Sequence, residues 1–265
     1  VKNTDVLINL NENKFEVDEI IENDKFITED DIANFCDLCL TRKKNNLLQT
    51  HPMNIKEYSI IGLTGYSHVI DTFFQQILPQ INKPIILVTI ESDIIPIKKE
   101  YLENDNIVHW FTWNKPFSHP KLTAIPIGIN KDRQLKNLIK YLSLERNNIS
   151  KSDKMVLFNS RVNTSSNKER KEIYDNVNTI WKKFIANDEY SFSYEKIINN
   201  PSYTDGRIDI QVSNIKTYEL LDKYNFVICP KGRGEDTHRT WEALYLNKIP
   251  IVLKSEISDL YENLP

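Results

Sequence analysis

The order of apolar runs along the chain is the strongest constraint on its fold. From Tyr58 onward, short runs rich in Ile, Val and Leu alternate with amphipathic segments. "YSIIGL" (58–63) predicts a strand, and "HVIDTFFQQILPQI" (68–81) has helical spacing with Ser67 as its cap. "PIILVTI" (84–90), "NIVHWFTW" (106–113) and "LTAIPIGI" (122–129) predict three more strands. "IKKEYLEN" (97–104) and "KDRQLKNLIKYLSLERN" (131–147) predict helices. Strands that alternate with helices argue for a parallel α/β layer.

The polar stretch "ERNNISKSDK" (145–154) predicts a boundary, after which the pattern restarts. Strand "MVLFNS" (155–160), helix "RKEIYDNVNTIWKKFI" (170–185), a short strand "RIDIQV" (207–212) and helix "KTYELLDKY" (216–224) follow in order. Strand "NFVICP" (225–230), a glycine loop, helix "THRTWEALYL" (237–246) and strand "IPIVL" (249–253) complete the series. Two α/β units are therefore expected, over 1–145 and 146–265. The chain stops at "YENLP" with no closing helix, so its C-terminal unit is expected to be incomplete.

A net charge of −3 over 265 residues gives no global reason for binding nucleic acid or an anionic membrane. No apolar run approaches the ~20 residues that span a bilayer. Three cysteines make a poor disulfide framework. Cys36 and Cys39 form a CxxC ("FCDLC") in an expected helix begun by "TEDD". With no second pair for zinc and no preceding strand for a redox motif, they are expected to be buried structural residues. The implied compartment is reducing and cytoplasmic, with a leader removed before Val1 compatible with the same reading.

The stretch "CPKGRGEDTHRTWEALYLNKIPIVL" (229–253) carries two of only six glycines, one residue apart. It follows a strand, so it belongs at the carboxyl edge of a parallel sheet, where open α/β folds bind ligands. Gly232 and Gly234 allow close backbone approach, and Asp236 or Thr237 caps the helix that follows. Lys231, Arg233 and Arg239 add positive charge beside the helix amino terminus. Together these features suit a phosphate or diphosphate. The P-loop pattern is absent, and Thr237 stands where a dinucleotide fingerprint needs its third glycine. His238, Arg239 and Glu242 share one helix face, with Trp241 and Leu244 free to pack inward. A carboxylate one turn beyond a diphosphate is placed to accept from ribose hydroxyls. A tight turn with solvated basic residues and an ordinary surface ion pair is the plain alternative.

Residues 224–253 resemble the donor-domain signature of exostosin-like glycosyltransferases and their viral and bacterial relatives. Asn247–Lys248 departs from the family's usual glycine, a small change if Asn247 takes the left-handed conformation. "SHPKLTAIPIGIN" (118–130) is similar to the segment joining the two halves of these enzymes, and "LFNSRVNTSSNKERK" (157–171) to the opening of the donor domain. "SDLYENLP" (258–265) is similar to the family's continuation into a further strand. The resemblance implies a GT-B fold: two Rossmann-like domains facing a cleft, with the acceptor side in 1–145 and the nucleotide-sugar side in 146–265. It implies that Arg239 contacts the diphosphate, Glu242 the ribose, that Gly232 and Gly234 shape the pocket, and that Arg161 is a second phosphate ligand. The donor would be a UDP- or GDP-linked sugar, the acceptor a glycan or other hydroxyl, and no further cofactor would be needed.

An inverting enzyme also needs a base for the acceptor hydroxyl. His68 and Asp93, each in a loop after a strand, and His119, near the interdomain segment, are the candidates. Two other readings stand beside this one. Glu91-Ser92-Asp93 after a strand could ligate Mn²⁺ or Mg²⁺ under a diphosphate, as in GT-A enzymes. Alternatively, the chain could be a non-catalytic nucleotide- or glycan-binding module.

Overall fold

The computed structural model describes residues 26–42, 44–144, 155–160, 168–179, 185–187, 208–262 and 264. The expected boundary at 145–154 lies outside the described residues, as does most of the stretch between 180 and 207. The described chain is α/β, with two parallel sheets.

The first sheet runs β1 (Leu38–Leu40), β2 (Ser59–Thr64), β3 (Ile85–Ile90), β4 (Ile107–Thr112) and β5 (Leu122–Ala124), side by side in sequence order. Every pair is parallel. Right-handed crossovers that always step in the same direction leave their connections on one face of a sheet. The connecting helices are α2 (Ser67–Thr72, widening into a π-turn at Phe73–Ile77) and α3 (Lys99–Leu102). They pack there, with Phe73, Leu78, Tyr101 and Leu102 meeting Ile61, Leu63, Leu87 and Trp110. The opposite face must be covered by other parts of the chain. It receives α1 (Glu29–Phe35), α4 (Lys136–Leu142) and residues of the second sheet: Val88, Ile90 and Trp113 share one apolar cluster with Leu138, Leu157, Val227 and Trp241.

The second sheet has the order β7–β6–β8–β9, all parallel, from β6 (Val156–Phe158), β7 (Ile185–Asn187), β8 (Phe226–Ile228) and β9 (Ile249–Ile251). The chain steps outward from β6 to β7, then returns past β6 to β8. This reversal makes the carboxyl ends of β6 and β8 a topological switch point, where open α/β sheets leave a crevice. Its helices are α5 (Lys168–Asn178), α6 (Ile208–Asp222) and α7 (His238–Tyr245).

Several expectations change. Residues 208–212 of "RIDIQV" are not a strand but the first turns of α6. Its alternating Ile208, Ile210 and Val212 look β-like over six residues. Extended through Ile215, Tyr218 and Leu221, however, the apolar positions recur at helical spacing. The helix around the cysteines ends at Phe35, so Cys36 closes α1 and Cys39 lies in β1, a strand too short to stand out by pattern. Thr28 starts α1 with a reciprocal capping box to Asp31. The cap position of α2 is Tyr66 rather than Ser67. Asn247 adopts φ 59°, the left-handed conformation that lets it follow α7 in place of glycine.

Candidate functional site

The loop between β8 and α7 lies across the carboxyl edges of both sheets. Gly232 N–H donates to the Gly234 carbonyl at 2.9 Å and folds the loop back on itself. Gly234 is required by close packing. A Cβ there would stand 2.4 Å from Asn114 Nδ2 and 2.8 Å from the Asp93 carbonyl oxygen, both on loops leaving the first sheet. At Gly232 the nearest atom of the described residues to such a Cβ is Arg170 Nη2, at 3.4 Å, so among these residues only Gly234 is sterically demanded.

Asp236 is the joint of this edge. Its backbone N–H donates to Asn114 Oδ1 at 2.7 Å, and its buried carboxylate accepts from Ile127 N at 2.8 Å, Trp241 Nε1 at 2.9 Å and Tyr261 Oη at 2.8 Å. Burial pushes the Asp236 carboxyl up, against hydrogen bonds that pull it down. Burial, and then the Asp236 charge, push the Tyr261 hydroxyl up as well, so that it stays a donor. Sequence reading weighed Asp236 only as a cap. Its partner Ile127 lies 109 positions away, and no local pattern announces that bond.

Thr237 takes the N-cap position of α7 with extended φ −135° and ψ 148°. Its side chain makes no capping bond, and Oγ1 is buried without a partner among the described residues. A buried hydroxyl at a helix amino terminus is a polar group that a water or a ligand can satisfy. Two positions on, Arg239 reaches across the switch point. Its Nη1 donates to the backbone oxygen of Asn159 at 3.2 Å and to Asn159 Oδ1 at 3.3 Å, just past the end of β6. Its Nε donates to Glu242 Oε2 at 3.0 Å.

Glu242 is only 3% exposed. Besides Arg239 it accepts from Gln134 Nε2 at 2.9 Å and Tyr218 Oη at 3.1 Å, both through Oε1. The carboxylate thus faces protein donors from α4's leading π-turn (Lys131–Leu135) and from α6. In this arrangement its visible work is to orient Arg239. Burial, and then the Glu242 charge, push the Tyr218 hydroxyl well above its usual range. Gln134 and Tyr218 were not singled out from the sequence, because nothing local to either marks a partner over a hundred, or even twenty-four, residues distant.

The remaining expected residues are distributed as follows. Lys231 lies 3.2 Å from Glu235 and 3.7 Å from Glu169, and its charge is partly offset by these carboxylates. Arg233 is exposed at the loop tip. His238 Nδ1 is 2.8 Å from the Gly128 carbonyl oxygen, which ties the start of α7 to the segment leaving the first sheet. Arg161 lies outside the described residues. Of the base candidates, exposed His68 and Asp93 are on the carboxyl edge of the first sheet, the edge that faces the glycine loop. His68 stacks on Tyr66 at 5.9 Å. His119 precedes β5 and forms a turn, with Nδ1 accepting from Lys121 N at 3.1 Å, so it sits toward the opposite edge. Glu91 is buried at the end of β3 with φ 64°, and its carboxylate accepts from Arg42 N at 2.9 Å and 3.2 Å. It is held by backbone, whereas Asp93 is exposed. Among the described residues, no three His, Cys, Asp or Glu side chains gather as a metal-ligand group. Among the same residues, no helix is long and apolar enough to cross a membrane.

No protein-family model matches this chain, and no curated protein matches it in sequence.

Proposed function

We propose that this chain transfers a glycosyl group from a nucleotide-diphosphate sugar to a hydroxyl acceptor, with the donor's diphosphate at the amino end of α7. The observation that carries the reading is Arg239. It is fixed by Glu242 and Asn159 at the switch point of the second sheet, beside an N-cap hydroxyl that has no partner among the described residues. An anion placed there meets the positive end of a helix, a guanidinium already oriented, and the hydroxyl of Thr237. The resemblance of residues 224–253 to exostosin-like glycosyltransferases supports the same assignment, and with it a GT-B arrangement of two Rossmann-like units.

Glycosyl transfer breaks the bond between the sugar and the diphosphate, so negative charge grows on the departing phosphate oxygen. Donors fixed in advance stabilise that charge without reorganising at the moment of reaction. In this reading Arg239 and the α7 terminus supply them, Glu242 and Asn159 hold Arg239 in place, and Gly234 lets the loop reach the first sheet. The acceptor hydroxyl loses its proton to a base on the facing edge, where His68 and Asp93 stand.

The test is a thermal-shift series with UDP, GDP, dTDP, CMP and ADP, each in EDTA and in Mn²⁺. Binding at a hundredfold excess over Kd adds about 2.7 kcal/mol to stability, which is readily seen. A shift with one nucleoside diphosphate in EDTA, lost in Arg239→Ala, is expected. A shift only in Mn²⁺, lost in Asp93→Ala, would favour metal-dependent chemistry at the first sheet. Binding without turnover of the matching nucleotide-sugar would favour a binding module. No shift with any nucleotide would overturn the reading.

A further inference from the structure

The CxxC pair takes no part in the site above, yet its placement is unusual. Cys36 follows the last residue of α1 and Cys39 lies in β1, so the two cysteines bridge a helix end and an edge strand. Both are buried. A Cβ on Gly62, in the middle of β2, would stand 3.0 Å from each of the two sulfurs. Glycine weakens a strand interior, and here its missing side chain is the space that both sulfurs occupy. The two sulfurs thus flank one and the same space over Gly62. Cys36 Sγ also lies 3.3 Å from the Ile32 oxygen, and Cys39 Sγ 3.2 Å from the Ala33 oxygen. These carbonyls belong to the last turn of α1, which lacks a full set of intrahelical donors. The thiols therefore serve as part of the helix's C-terminal cap.

We propose that Cys36 and Cys39 form a modification site, closing to an intramolecular disulfide by exchange with a small-molecule disulfide, and that closure withdraws these S–H donors from α1. The thiolate of one cysteine attacks the oxidant's disulfide, forming a mixed disulfide and expelling one thiolate, which takes up a proton. The second cysteine's thiolate then attacks the protein sulfur of that mixed disulfide. The Cys36–Cys39 bond forms, and a second small thiol leaves. The protein loses two S–H hydrogens, and the oxidant is reduced to two thiols. A dithiol reverses both steps.

α1 has only seven residues, too few to hold a helix without caps and packing. Its leading end touches the carboxyl end of α7, where Ile27 N donates to Tyr245 Oη at 2.9 Å and Phe26 packs on the Tyr245 ring at 4.7 Å. A loosened α1 weakens an anchor of α7. Cys229, buried in the second sheet's edge with its thiol pushed up to about 12 by burial, is the internal reference.

The experiment equilibrates the full chain with glutathione disulfide and, separately, with reduced dithiothreitol; one portion is kept native for exchange, and the other is denatured and its free thiols blocked with iodoacetamide. Intact mass, peptide mapping and amide hydrogen exchange follow. The expected product carries a Cys36–Cys39 disulfide and one alkylated thiol, Cys229. Amides of residues 29–35 should exchange faster than in the reduced chain, and dithiothreitol should restore them. Cys36→Ser should stop at a mixed disulfide on Cys39. A folded chain with three free thiols after oxidation, a disulfide that forms only in urea, or closure that leaves exchange over 29–35 unchanged would each overturn the proposal.

Discussion

Glu242 holds Arg239 at 3.0 Å from a position that water scarcely reaches, while Tyr218 and Gln134 occupy its other oxygen. One carboxylate thus joins α7 to α6 and to the chain leaving the first sheet. Removing it leaves three buried or half-buried donors facing nothing. Glu242→Ala should cost about 3–5 kcal/mol in urea unfolding, in line with breaking a buried pair. Arg239→Ala leaves Glu242 two donors, and should cost less stability while abolishing nucleotide binding. If both variants lose stability equally and neither affects binding, Glu242 and Arg239 form a structural pair only.

The two loop glycines should behave differently. Gly234→Ala pushes a methyl into Asn114 and the Asp93 carbonyl, so it should cost about 1–3 kcal/mol and remove the nucleotide-induced shift. Gly232→Ala meets nothing closer than 3.4 Å and should stay within about 0.5 kcal/mol of the parent. Urea midpoints of the two variants, measured side by side, check the contrast.

Gly62→Ala crowds both thiols of the CxxC at once. It should destabilise by about 1–3 kcal/mol, and much of that loss should return when Cys39→Ala is added, because the smaller side chain vacates the space. A double-mutant cycle measures the coupling. Additive losses would mean that the strand and the sulfurs do not compete for volume.

His109 on β4 is partly buried, with Nε2 2.8 Å from Thr123 Oγ1, and burial lowers its pKa from 6.5. The unfolded chain therefore takes up this proton at higher pH than the folded one. Its contribution to stability is complete above 6.5 and is lost as pH falls from there toward the depressed value. His109→Asn should make the loss of stability between about pH 7 and about pH 5 shallower than in the parent, as read from urea midpoints across that range. Parallel curves would exclude His109 as the source.

Much of the layer order was legible because buried parallel strands are continuous apolar runs: "PIILVTI" and "NIVHWFTW" coincide with β3 and β4. β1 was not, since three residues after a helix end carry no period. The α6 segment misled because its first residues alternate before the helical spacing becomes visible. At the site, the loop, the N-cap position of Thr237 and the left-handed Asn247 follow from local chemistry. Asp236 and the partners of Glu242 do not, because each is defined by contacts across the fold. His119 failed to reach the glycine-loop edge for a topological reason: it precedes a strand, whereas His68 and Asp93 follow one.

The tail after β9 returns to the first sheet, where Lys115 meets Asp259 at 2.6 Å and Ser118 meets Glu256 at 3.0 Å. α4, which follows the first sheet, leans instead on the second sheet's α6, with Tyr141 donating to Asp222 at 3.1 Å. Each half therefore lends a strap to the other, crossing in opposite directions. A hinge that opened the two carboxyl edges would have to release both straps together with the Asp236 joint, so the gap between the edges keeps a nearly fixed width and the sheets move as one body.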